Sequence, residues 1–130
     1  MKFHLLIALL FLVLPIQAAD SFSLYLVRHA EKQAEQDDPK LTQCGQFRAK
    51  QLADILAYTA IKHVYSTPYQ RTLATATPLA KKQNLPVKQY SPTKLEQFAQ
   101  QLLTQQENAL VVGHSNTTPQ LAALLSELDV

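Results

Sequence analysis

Short apolar segments alternate with longer segments of helical spacing along the chain from residue 23 onward. The short segments predict four strands, over residues 23–27, 61–66, 87–90 and 110–112. The longer segments place apolar residues three and four positions apart and predict helices that begin near residues 41, 68, 91 and 118. Strands and helices in alternation are typical of a parallel sheet with helices packed on its faces. We therefore predict a three-layer α/β/α fold with a mostly parallel sheet.

Capping residues and prolines predict where the helices begin and break. Thr42 is a favoured N-cap residue for the first helix, and Pro68 suits the first turn of the second. Pro78 lies inside the second helix, which we expect it to bend or to end halfway, because proline cannot donate a backbone hydrogen bond. The residues 91–93 (Ser-Pro-Thr) are expected to start the third helix.

The first 18 residues have the composition of a secretory signal peptide. Lys2 gives a positive start, residues 5–14 are almost wholly aliphatic, and Ala18 and Ala19 are small residues suited to cleavage. The apolar run is about half of the roughly 20 residues that span a bilayer, so we expect no permanent membrane anchor. An uncleaved anchor is the alternative. We predict residues 1–18 as a signal peptide, residues 19–130 as a single domain, and a periplasmic or secreted protein.

The composition excludes several kinds of site. The 130 residues carry a formal net charge of +2, which is too small to indicate binding to nucleic acid. The 2 glycines exclude the glycine-rich phosphate loops of nucleotide-binding proteins. With 1 cysteine, the chain can form neither an intrachain disulfide nor a cysteine-built zinc site. The histidines and arginines are therefore the main candidates for chemistry.

Two histidines and two arginines lie at or just after the ends of predicted strands. Arg28 and His29 follow the first strand, Arg71 follows the second by one helical turn, and His114 follows the fourth. Ligands of parallel α/β sheets bind at the carboxyl ends of the strands, so we expect these four side chains to meet. Guanidinium groups match the oxygens of a phosphate, and imidazole can act as a nucleophile. His63 opens a strand without such neighbours and is expected to be structural or exposed.

The same segments resemble motifs of the histidine phosphatase superfamily, which includes phosphoglycerate mutase. Residues 26–30 (Leu-Val-Arg-His-Ala) resemble its Arg-His-Gly motif, and residues 111–116 (Val-Val-Gly-His-Ser-Asn) are similar to its second-histidine segment. The helix start at 41–49 and the segment 65–76 resemble its Leu-Thr/Gly/Arg-Ala and second-arginine segments. The four matches follow the family's order, and together they imply a phosphoglycerate mutase-like fold.

The resemblance implies a role for each of the four residues. His29 would be the nucleophile that takes the phosphoryl group, and Arg28, Arg71 and His114 would bind its oxygens. Phosphoryl transfer depends mainly on positioning and on charge stabilisation, which such groups supply. A cationic His114 would complement the phosphate. We expect no metal and no cofactor, since the cationic side chains supply the positive charge.

The chain departs from the family pattern at several points. Ala30 replaces the motif's glycine, and Ser115 stands where the acid phosphatase branch has an aspartate. The mutases' long insertion with a catalytic glutamate is missing between the second arginine and the second histidine. The general acid is therefore left open: Glu31 is the best candidate and Glu96 the second, and a leaving group of low pKa would need no acid. Family members continue to another strand, so we also expect a C-terminally truncated member.

The sequence thus predicts an exported, metal-independent phosphatase that acts on phosphate monoesters or phosphohistidine through a phosphohistidine intermediate on His29. Its partner would be a small-molecule or protein phosphate substrate. A non-catalytic phosphate-binding or regulatory module of the same fold is the alternative. A phosphomutase is a third hypothesis, and the missing insertion argues against it.

Overall fold

The computed structural model describes residues 21–34 and 37–128, which form four strands and four helices. The predicted signal peptide and the end of the chain after residue 128 lie outside these residues. In chain order the elements are β1 (Leu24–Arg28), α1 (Gln43–Ile55), β2 (His63–Ser66), α2 (Gln70–Lys82), β3 (Val87–Gln89), α3 (Leu95–Gln105), β4 (Ala109–Gly113) and α4 (Thr117–Leu128).

The four strands form one parallel sheet in the order β1-β4-β2-β3. The strand β4, one of the two inner strands, is buried at every position and consists of small and aliphatic residues, as expected for a strand with helices on both faces. The register pairs Arg28 of β1 with Gly113 of β4, so the ends of these two strands lie side by side. The predicted parallel sheet is confirmed.

The helices lie on both faces of the sheet, each face with its own apolar cluster. On one face, α1 and α2 pack through Ala53, Leu56, Ala76 and Leu79 against Val64, Leu110 and Val112 of the sheet. On the other face, α3 and α4 pack through Phe98, Leu102, Leu121 and Leu125 against Tyr65 and Val111. The alternate residues of each strand thus enter opposite clusters, which confirms the three-layer α/β/α prediction.

The start of α1 is fixed against the chain segment that follows β1. Thr42 caps the helix as predicted, since its Oγ1 accepts a hydrogen bond from the backbone N–H of Gly45 at 3.0 Å. A Cβ at Gly45 would lie 2.2 Å from the carbonyl oxygen of Glu31, so only glycine allows this approach. The contact holds the residues just after His29 in place.

Two predicted helix starts are wrong, and so is an end of α2 at Pro78, whereas a bend there stays a prediction. Helix α2 begins at Gln70 rather than at Pro68, and it continues through Pro78 to Lys82. Buried Ala76 and Leu79 hold both sides of Pro78 against the sheet, and this packing outweighs the lost hydrogen bond.

Helix α3 begins at Leu95 rather than at residues 91–93. The side chain and carbonyl of Ser91 accept hydrogen bonds from the N–H groups of Thr93 and Lys94, which form a turn ahead of the helix. Smaller shifts move the first residue of β2 from 61 to 63 and the last residue of β3 from 90 to 89. Within the described residues, every helix is too short or too polar to cross a membrane.

Candidate active site

A cleft of about 430 Å³ opens at the carboxyl edge of the sheet. Its walls come from the ends of β1 and β4, the start of α2, and the segments before α3 and α4. The lining residues that bear charge or imidazole groups are Arg28, His29, Lys32, Arg71 and His114. The other lining residues are Tyr69, Pro92, Thr93, Ser115, Asn116 and Thr117. The four side chains predicted to meet are therefore brought together in one cleft.

His29 is held at the end of β1, and one of its ring nitrogens has no hydrogen-bond partner among the described residues. Its backbone N–H donates to the carbonyl of Gly113 at 3.0 Å, and only 9% of the residue is exposed. Its Nδ1 lies 2.7 Å from the carbonyl oxygen of Ala30, so Nδ1 carries the proton and Nε2 keeps its lone pair. Burial lowers the pKa of His29, the Ala30 carbonyl opposes this, and Arg71 and Arg28 lower the pKa further. A neutral imidazole with a free Nε2 is suited to nucleophilic attack.

His114 lies beside His29, with the two ring centroids 5.7 Å apart. Its Nδ1 accepts from Nη2 of Arg71 at 3.4 Å, so its proton is on Nε2, which donates to Oγ1 of Thr67 at 2.8 Å. The Thr67 hydroxyl in turn lies 2.8 Å from that of Thr72, which donates to backbone carbonyls. This chain of hydrogen bonds selects one tautomer of His114.

The expectation of a cationic His114 concerns the ring beside a bound phosphate, and it stays a prediction. Burial, then Arg71, His29 and Arg28, lower the pKa of His114 to about 4, so the ring is neutral at pH 7. Burial is the largest cause of the lowered pKa, and Arg71, His29 and Arg28, which also line the cleft, add to it. A phosphate dianion bound beside the ring would favour the protonated form and raise this pKa.

Gly113, which precedes His114, leaves room for the side chains of Tyr90 and Thr118 at the end of β4. A Cβ at this position would lie 2.8 Å from the hydroxyl of Tyr90 and 2.9 Å from Oγ1 of Thr118. Both contacts are shorter than real Cβ contacts allow, so any other residue would displace these side chains. The backbone N–H of His114 donates to Oγ1 of Thr117 at 3.1 Å, which ties the residue to the start of α4.

Arg71 extends from the first turn of α2 into the cleft, with 17% of its side chain exposed. Its guanidinium lies between His114 and Asp38, since Nη1 is 3.5 Å from Oδ1 of Asp38. The guanidinium also lies 4.8 Å from the centroid of the Tyr69 ring. Its Nε is buried and has no hydrogen-bond partner among the described residues. Arg28 lies exposed at the end of β1 and also lines the cleft.

The two predicted acids lie outside this cleft. Glu31 is exposed and forms an ion pair with Arg48 at 2.9 Å, in a neighbouring depression of about 450 Å³ that also touches His29. Glu96 lies exposed in the first turn of α3. Among the described residues that line the cleft, none is a carboxylate. The assignment of either glutamate as general acid stays a prediction, and Arg48 already engages Glu31.

Two residues at the site were not predicted from the sequence as functional candidates. The hydroxyl of Thr75 accepts from the N–H of Ala30 at 3.0 Å and donates to the carbonyl of Arg71 at 2.7 Å, so it joins the nucleophile segment to α2. Asp38 contacts Arg71 from a distant loop. Thr75 belongs to the motif segment 65–76, and this position could have indicated a role at the site. The sequence gives no such indication for Asp38, because 32 residues separate it from the start of α2.

A sequence profile of the histidine phosphatase superfamily (branch 1) matches residues 24–91, just over half of the 130 residues. The chain belongs to this superfamily. The matched region contains His29 and Arg71, and His114 lies beyond it. A comparison with curated proteins finds no match.

Solved structures of phosphatases share the fold of this chain. The protein histidine phosphatase SixA in complex with tungstate superimposes with a TM-score of 0.65 at 17% identity, over 77% of this chain and 74% of that one. An Escherichia coli K-12 protein described as an α-ribazole-5'-P phosphatase gives a TM-score of 0.69 at 20% identity, over 80% and 79%. A mycobacterial glucosyl-3-phosphoglycerate phosphatase gives 0.63 at 14%, over 78% and 76%. At these identities the likeness shows the fold.

Proposed function

We propose that the protein is a metal-independent phosphatase that transfers a phosphoryl group to Nε2 of His29 and then to water. The observation that carries the proposal is the hydrogen bond from Nδ1 of His29 to the Ala30 carbonyl, which leaves Nε2 unprotonated in a cleft with two arginines. Arg28 and Arg71 would bind the phosphoryl oxygens and stabilise the charge that develops on them in the transition state.

The first step forms a bond between Nε2 and phosphorus and breaks the bond from phosphorus to the leaving group, which departs with the bonding electrons. In the second step water attacks phosphorus, the bond to Nε2 breaks and its electrons return to Nε2, and inorganic phosphate leaves with the oxygen and both protons of that water, as dihydrogen phosphate. His29 is then neutral again. His114 donates its Nε2 proton to Thr67 and lies beside the phosphoryl site, where a dianion would favour its charged form.

We further propose that the substrates are phosphohistidine or aryl phosphates rather than alkyl phosphates. An alkoxide leaving group needs a proton from a general acid, and no carboxylate lies among the described residues that line the cleft. The imidazole of a phosphohistidine that is protonated on its other nitrogen leaves as a neutral molecule. A phenolate also leaves without a proton. Such substrates would therefore need no general acid from the residues that line the cleft.

The test compares three substrates in the presence of EDTA: a histidine-phosphorylated peptide, p-nitrophenyl phosphate and glycerol phosphate. We expect turnover of the first two at a kcat/KM at least about 100-fold above that of glycerol phosphate. The His29→Ala variant should lose turnover of all three. Equal turnover of glycerol phosphate would show that an acid acts in the site. A folded protein that binds phosphate without turnover would be the non-catalytic module instead.

We also propose that the protein works outside the cytoplasm, in the periplasm or after secretion. The support is the positive start, the aliphatic run and the small residues at the end of residues 1–18. N-terminal sequencing of the protein from its native host should find the chain starting at Ala19 or Asp20. A chain that retains Met1 would overturn the proposal.

A further inference from the structure

Asp38 lies where the loop before α1 meets the start of α2. Its Oδ1 accepts a hydrogen bond from the backbone N–H of Gln70 at 2.9 Å, and its carbonyl accepts from Nε2 of Gln70 at 3.1 Å. The same Oδ1 lies 3.5 Å from Nη1 of Arg71. We propose that Asp38 is a positioning residue that orients Arg71 for the phosphoryl group. This inference rests on the function proposed above for the cleft.

The contact with Gln70 supplies a cap that α2 lacks. Tyr69 occupies the N-cap position and makes no side-chain hydrogen bond to the helix. The carboxylate of Asp38 therefore accepts from one of the N–H groups that a helix start leaves without a partner. Its negative charge is also favoured at the positive end of the helix. The position of the first turn, and with it the backbone of Arg71, is set by a segment outside the helix.

The second contact sets the plane of the guanidinium. Nη2 of Arg71 lies against His114 and Nη1 lies against Asp38, so the two ends of a rigid planar group are both held. Tyr69 lies against the same guanidinium, and Nε has no partner among the described residues. Without the charge of Asp38, one end of the group is released. A displacement of about 1 Å at such a group can cost about 100-fold in rate.

The ion pair itself contributes little to stability, because 41% of the Asp38 side chain is exposed and exposed pairs are screened by solvent. A positioning role is therefore separable from a structural one. Asparagine at this position keeps an oxygen that can accept from the Gln70 N–H, since asparagine caps helices about as well as aspartate. It removes only the charge that faces Arg71.

The experiment measures kcat/KM with p-nitrophenyl phosphate, the affinity for inorganic phosphate, and the melting temperature in Asp38→Asn. We expect kcat/KM to fall about tenfold and phosphate affinity to weaken by a similar factor, with an unchanged melting temperature. Asp37→Asn is the matched control, because Asp37 is an exposed neighbour with no ion-pair partner among the described residues. It should behave as wild type. Wild-type values for Asp38→Asn would overturn the proposal.

A double-mutant cycle tests whether Asp38 acts through Arg71. In an Arg71→Met background, Asp38→Asn should change phosphate affinity by less than about twofold. An undiminished effect in that background would also overturn the proposal. If the wild-type protein shows no turnover, the proposed function fails, but the phosphate affinities of the same four proteins still decide the role of Asp38.

Discussion

Histidines lie at both edges of the parallel sheet, and their partners differ. At the carboxyl edge, His29 and His114 face Arg71 and Arg28, and no carboxylate lies among the described residues that line the cleft. At the amino edge, Nε2 of His63 contacts the carboxylate of Glu107, and its Nδ1 accepts from Nζ of Lys88 at 3.0 Å. Both ring nitrogens of His63 are thus engaged by protein groups, whereas Nε2 of His29 is left for a ligand. The partners of each imidazole, rather than the residue type, decide which edge can bind phosphate.

The largest expected difference between the edges is in catalysis. His114→Gln removes the imidazole that faces the phosphoryl site, and we expect kcat/KM for p-nitrophenyl phosphate to fall about 100-fold, as for the loss of one donor to a developing charge. The matched variant His63→Gln should keep kcat/KM within about twofold of wild type, since His63 lies at the amino edge of the sheet, away from the residues that line the cleft. Circular dichroism would confirm that both variants fold. A comparable loss in both variants would mean that the amino edge also supports the reaction.

A smaller loss of activity is expected at Thr75, whose hydroxyl joins two segments of the carboxyl edge. Thr75→Val removes the hydroxyl that links the Ala30 N–H to the Arg71 carbonyl, and we expect kcat/KM to fall about tenfold with about 1 kcal/mol lost from the free energy of unfolding. Thr77→Val is the control, because its hydroxyl donates to the Leu73 carbonyl within the same helix at 2.7 Å. It should leave kcat/KM unchanged. Equal activities for the two valine variants would show that the link to Ala30 does not position the site.

The sequence could predict the sheet and the four cleft residues because both depend on local order. Alternating strands and helices imply a parallel sheet, and residues such as His29 and His114 that follow parallel strands must lie at one edge. The order of the motifs also pointed to Arg71, which lies in the first turn of the helix after β2. These features need no knowledge of which distant segments touch.

The contacts between distant segments could not be predicted in this way. Asp38 contacts Gln70 at the start of α2, 32 residues further along the chain. Arg48 pairs with Glu31 because α1 packs beside the chain segment that follows β1. The same holds for Pro78, whose cost to the helix is outweighed by packing against the sheet. The neutral state of His114 also depends on burial and on the arginines of two other segments, Arg71 of α2 and Arg28 of β1.

The smallest expected effect is a pH dependence of stability that belongs to the carboxyl edge. Burial and Arg71 lower the pKa of His114 to about 4, and burial lowers that of His29 as well, whereas both histidines titrate near 6.5 in the unfolded chain. Below pH 6.5 the unfolded state therefore binds more protons than the folded state. The free energy of unfolding is then highest above pH 6.5 and falls as the pH drops toward 4.

Urea unfolding of wild type and His114→Gln between about pH 7.5 and 4.5 measures this contribution. We expect the wild type to lose about 1 kcal/mol more than the variant over this range, after allowance for the partial exposure of His114. Carboxylates that titrate in the same range affect both proteins alike, so the difference isolates His114. Parallel profiles would mean that His114 is protonated in the folded state near its ordinary pKa. The cations around it would then be better screened than the geometry of the cleft implies, and the contrast between the two edges would rest on His29 alone.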